Sequence, residues 1–120
     1  MTKQISFSKQ ENHLLPEFRQ NISNAESTEE VKKFFTFTAI KLMDDIFKNE
    51  IRFKFEEITL EPDSKKKFFI HDRFFDMELF TENWNHSDMK RILKSFAETS
   101  AHRYKHLSTN PEKTELKIRK

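Results

Sequence analysis

The stretch from Ser27 to Lys48, STEEVKKFFTFTAIKLMDDIFK, constrains this chain more than any other. Ser27 can accept a hydrogen bond from the free N–H groups of a first helical turn while Glu30 reaches back, the reciprocal arrangement of a capping box. Glu29 and Glu30 also lie where a helix dipole is positive. At about 100° per residue, Val31, Phe34, Phe35, Ala39, Leu42, Met43 and Ile46 form one apolar stripe, and Ile40 and Phe47 widen it beyond half the circumference. A helix this apolar has to be covered on two sides, and the remaining elements must supply the cover.

Before it, Leu14, Leu15, Phe18, Ile22 and Ala25 recur at helical spacing behind a second capping-box pair, Ser8 and Glu11. Pro16 removes a donor, so the sequence allows either a kinked helix over residues 9–23 or a shorter one starting at Pro16. Residues 4–8 alternate Ile5 and Phe7 with serines, the pattern of a short strand or an ordered arm. After the long helix Asn49 is the expected stop, in the left-handed conformation. Ile51, Phe53 and Phe55 then alternate with charged residues and predict a strand, with a twist or bulge at Glu56 and Glu57 that carries it on to Ile58 and Leu60. Glu61-Pro62-Asp63-Ser64 reads as a type I turn, after which residues 67–72 pair back with Leu60 facing Phe68 and Ile58 facing Ile70. Residues 73–85 fit neither period and are compatible with a strand, a short helix capped by Asp72, or a packed loop. Ser87 caps a last helix whose stripe runs through Met89, Ile92, Leu93, Phe96, Ala97, Ser100, Ala101, Tyr104 and Leu107. The expected fold is α+β in a single domain over 1–120. Two N-terminal helices precede a β-hairpin, open to extension by terminal strands, and a C-terminal amphipathic helix packs with the long helix on the sheet. For residues 109–120 the expectation is a flexible or edge-strand tail.

Composition excludes several chemistries. With no cysteine there are no disulfides, thiolate metal ligands or thiol nucleophiles. With no glycine, phosphate-binding glycine loops, dinucleotide fingerprints and nucleophile elbows are absent too, since each needs positive φ or close backbone approach. Fourteen phenylalanines supply a core that a hydrophobic fraction of 35% would otherwise leave small. The N-terminus lacks the apolar core of a signal peptide, and no run approaches the ~18 apolar residues of a membrane span. The expectation is a cytoplasmic protein with no membrane contact.

Candidate sites are few. Glu98, His102 and His106 are spaced i, i+4, i+8 and are the best available metal ligands, yet they lack an HExxH pattern and span about 12 Å, too far for one ion; no metal or cofactor is expected. His71-Asp72 matches the doublet of HD-type phosphohydrolases in two residues only, and His71 opposite Glu57 reads as an ordinary surface pair. Phe37, among Lys33, Lys41, Asp44 and Lys48 and away from the main stripe, is either covered in a monomer by the first helix or the 74–85 segment or, together with Phe34 and Lys41, marks a contact surface. Residues 88–120 carry nine Lys and Arg against four Asp and Glu, a net of +5 against −3 for residues 1–87. Lys90, Arg91, Lys94 and Lys105 form the helical part of that basic region, a footprint for phosphates. Lys65, Lys66 and Lys67 read as a solvated flank of the turn, and the aromatic segment 74–84 as core unless polar groups converge beside it. The leading functional expectation is a non-catalytic protein–protein interaction or self-association module, with a homodimer as the simplest partner. The alternative is a nucleic-acid-associated protein using the basic C-terminal helix and tail, and an enzyme is the least supported reading.

Overall fold

The computed structural model describes residues 5–109. The fold is α+β: helix α1 (Ser8–Asn24), helix α2 (Thr28–Phe47), strand β1 (Ile58–Leu60), strand β2 (Phe68–Ile70), helix α3 (Glu78–His86) and helix α4 (Met89–Thr109), with short 3-10 turns at Phe55–Glu57 and Asp72–Asp76. Helix α2 is central and packs against α1, α4 and β1. Val31, Phe35, Ala39, Leu42 and Met43 are fully buried along it, so the chain itself covers most of the apolar circumference. Ser27 Oγ accepts from Glu30 N at 3.1 Å, and Glu30 Oε1 reaches back to Glu26 N at 2.8 Å, one residue before the position a standard capping box uses.

Helix α1 runs through Pro16 without ending, which settles the two options in favour of the long helix. Its cap differs from the expected one: Phe7 is the N-cap residue and gives no side-chain cap bond, while Phe7 N donates to Asp88 Oδ1 at 2.7 Å. Residue 5 is an ordered arm that bridges to Ser87 rather than widening the hairpin, with Ile5 N donating to His86 O at 2.9 Å and Asp88 N to Ile5 O at 3.2 Å. Arg103 Nη2 donates to Ala25 O at 2.7 Å and ties α4 to the α1–α2 junction.

The hairpin has the expected register, Ile58 opposite Ile70 and Leu60 opposite Phe68. Ser64 N donates to Glu61 O at 3.1 Å, closing the proline turn. The loop lacks glycine, and Lys67 takes the left-handed position at φ 72°, held by Lys67 N to Ser64 Oγ at 2.9 Å and Nζ to Pro62 O at 3.2 Å. Helix α2 stops one residue earlier than expected, at Phe47, with Lys48 and Asn49 both left-handed. The predicted strand over 51–55 does not form. The sheet has two strands and β1 pairs only with β2, so residues 51–55 have no ladder to join. Instead Lys54 N donates to Glu57 Oε1 at 2.8 Å and Glu57 N to Lys54 O at 3.0 Å, winding the chain into a 3-10 turn. Ile51 is buried, Phe53 half-buried, and Phe55 points outward. The tail expected over 109–120 lies, beyond Thr109, outside the described residues.

The illegible segment 73–85 is a 3-10 turn followed by α3. His71 Nδ1, not Asp72, caps that turn by accepting from Arg73 N at 3.1 Å. Its aromatics build one cluster around Phe80, which is fully buried and lies 5.2–6.3 Å, centroid to centroid, from Phe47, Phe53, Phe74, Phe75 and Trp84.

Candidate functional site

The turn that follows β2 is locked by an ion pair between Glu57 and Arg73, so Glu57 is not the member of a surface pair with His71 that the sequence suggests. Glu57 is 6% exposed, and its carboxylate accepts from Arg73 Nε and, at 2.9 Å, from Arg73 Nη2, while the same Nη2 donates to Arg52 O at 2.8 Å. The hydrogen bonds from Arg73, helped by the one from Lys54 N and opposed by burial, hold the Glu57 carboxyl at about 2, well below the usual range. His71 contributes through its backbone, His71 N donating to Glu57 O at 2.9 Å. The arrangement fixes where β2 ends and where Phe74 and Phe75 point: Phe74 inward, Phe75 39% exposed.

Phe75 faces a groove of about 650 Å³ between the hairpin, the 3-10 turn and the start of α4. Four lysines border it, Lys65 and Lys66 from the hairpin loop and Lys90 and Lys94 from α4. Its aromatic lining includes Phe69 on β2, Phe75 in the 3-10 turn and Trp84 on α3, with Glu61 and Asp72 as acidic members. Trp84 stacks on Phe80 at 5.6 Å and 18°, meets Phe75 edge to face at 5.5 Å, and carries Lys90 Nζ 5.9 Å from its ring centre. Phe75 and Trp84 are therefore backed by Phe80 in the core, and Trp84 also meets a cation at its ring.

The structure sorts the expected basic residues. Lys90 and Lys94, one helical turn apart, face the groove, whereas Arg91, rotated by about 100°, turns to α1 and pairs with Glu11 at 3.2 Å and with Asp88 at 3.7 Å. Lys105 is exposed on the same side as Lys94 but roughly 16 Å further along the helix. Lys113, Lys117, Arg119 and Lys120 lie outside the described residues. Lys65 and Lys66, read from sequence as a turn flank, are the groove residues that spacing alone missed. The predicted hairpin register already puts them at its tip, but nothing local says which helix the tip approaches.

A second cleft, of about 900 Å³, separates α2 from the hairpin, but Glu29, Glu30, Glu56, Glu61 and Asp63 outnumber Lys32 and Lys33 there and make it net acidic, unsuited to a polyanion. Phe34 packs half-buried against the core, and Phe37 stays 51% exposed with Lys41 Nζ 4.9 Å over its ring and 3.9 Å from Glu17. Nearby, partial burial and the adjacent Asp45 raise Asp44 above the ordinary aspartate range. Glu98, His102 and His106 are all exposed, and among the described residues no three His, Asp or Glu side chains come together to hold a metal. No helix of the described residues is long and apolar enough to cross a membrane. Comparison with protein-family models, curated proteins and solved structures finds no match.

Proposed function

We propose that this chain is a nucleic-acid-associated binding protein whose working surface is the groove between the hairpin and α4. One observation carries the reading: lysines from two segments distant in sequence, 65–66 and 90–94, border one groove whose walls are aromatic. Cations neutralise phosphates and release their counterions, and aromatic faces tolerate any base, so the combination suits sequence-independent binding. Four phosphate contacts to a single strand give a log–log salt slope of about −3, or about a 50-fold loss of affinity between about 50 and 200 mM salt. Fluorescence anisotropy with labelled oligonucleotides at both salt concentrations tests this. Replacing Lys90 and Lys94 together by alanine is expected to halve the slope, since two of four contacts go. Absence of binding at the lower salt would remove the proposal.

A second reading, self-association, is favoured by Phe37, a large aromatic left 51% exposed on the central helix. A two-fold contact would let that patch cover its own copy. The expected result is a dimer by light scattering at high micromolar concentration, converted to monomer by Phe37→Glu with helix content unchanged. A monomer at that concentration, or a dimer indifferent to the substitution, sinks this reading.

A further inference from the structure

Resting on the groove as a nucleic-acid surface, we infer that its occupant is an unpaired strand, held by stacking of bases on Phe69 and Phe75, with the lysines on the phosphates. Charge alone is not enough to define the ligand. Four lysines border the groove, but Glu61 and Asp72 line it as well, so the excess over the carboxylates is two. A polyanion recognised only by its charge would meet those carboxylates as readily as the lysines, and something besides charge has to favour entry.

The aromatics supply it. Phe69 and Phe75 are each 39% exposed in a chain that buries Phe18, Phe35, Phe74, Phe80 and Phe96 almost completely; Phe37 and Phe55 are exposed too, but outside this groove. Phe69 is the outward member of a strand whose other two residues, Phe68 and Ile70, point into the core. Phe75 is set edge to face against Phe80 at 5.2 Å, so its orientation is fixed before any ligand arrives. A ring already ordered by the core loses little entropy when a base settles on it. Trp84 is taken up by its neighbours, Phe80 nearly parallel to it and Lys90 at 5.9 Å, and acts as the support that holds Phe75 from the side. A duplex keeps its bases stacked on one another and offers these rings nothing, whereas a single strand presents free base faces. Lys90 and Lys94 are on long flexible stems and can follow the backbone as the bases seat.

The chain contains a single tryptophan, so Trp84 reports on this groove without labelling. The full chain is titrated at low salt with a short oligothymidylate, an abasic deoxyribose-phosphate chain of equal length, a duplex and oligoglutamate, following Trp84 fluorescence and anisotropy. The expected result is saturable quenching by oligothymidylate, with affinity lower by about 5- to 100-fold for the abasic chain and weaker binding still for the duplex and the peptide. Phe69→Leu and Phe75→Leu, which keep apolar bulk and fold, are expected to lower oligothymidylate affinity by a similar factor each while leaving abasic binding unchanged. Equal affinity for the abasic chain or the duplex would overturn the inference and leave a charge-reading groove. Equal affinity for oligoglutamate would overturn it in favour of an acidic protein partner. No binding of any ligand would remove the underlying functional proposal as well.

Discussion

Phe80→Ala is expected to cost about 3–5 kcal/mol, the range for removing a fully buried aromatic from a packed core. The residue is 0% exposed and its ring is the shared neighbour of Phe47, Phe53, Phe74, Phe75 and Trp84, which come from four different segments of the chain. Deleting it removes the contact that all four share, and the surrounding rings are too rigid to close a cavity of that size. Against a total stability of about 5–15 kcal/mol for a domain, the variant would be close to unfolding, with a melting temperature lowered by on the order of 10–20 °C. Phe80→Leu, which leaves a smaller cavity, should cost less than Phe80→Ala. Phe37→Ala, at an exposed position, should stay within about 0.5 kcal/mol. Urea melts followed by Trp84 fluorescence and by circular dichroism measure all three. A Phe80→Ala loss below about 1 kcal/mol would mean that the cluster is not a structural hub.

Glu57→Gln is expected to destabilise the fold by about 1–3 kcal/mol at neutral pH, because charge-assisted hydrogen bonds to a nearly buried carboxylate are replaced by weaker ones. The variant also carries a pH signature. The Glu57 carboxyl titrates at about 2 in the folded chain against 4.5 for the unperturbed group, so its contribution to stability is fully present above pH 4.5. As pH falls through that window the unfolded chain takes up the proton first, and the contribution is gone below about pH 2. Stability curves of the two proteins should therefore run parallel above about pH 5 and converge under acid. Chemical denaturation at a series of pH values tests this, and a gap that stays constant down to pH 3 would show that the Arg73 pairing does not set the acid sensitivity.

The elements that sequence reading located well are those whose cause lies within a few residues. The capping pair Ser27 and Glu30 works inside one turn, and the broad stripe of α2 needs only the helical period. The hairpin register follows from alternation plus a proline turn, since any slip by one residue would turn Ile58, Leu60, Phe68 and Ile70 to solvent. The stripe of α4 was readable for the same reason. Where local signals conflicted, they failed. Ile51, Phe53 and Phe55 alternate like a strand, but a strand also needs a partner, and whether one exists is a property of the whole sheet.

Glu57 shows how burial escapes sequence reading: a carboxylate in a charged run looks solvated until Arg73, sixteen residues later, folds back over it. The groove is a sharper case. Its lysines come from a hairpin tip and a helix start, and its aromatics from a strand, a 3-10 turn and α3, so no window of sequence contains the site. Hydrogen-bonding period, capping and alternation act over a few residues, so α1, α2, α4, the turn and the strand pairing follow from short windows of sequence, whereas α3 does not. Which lysines share a surface and which phenylalanines remain exposed depends on how α3, α4 and the hairpin seat around Phe80, and packing is set by every contacting element at once.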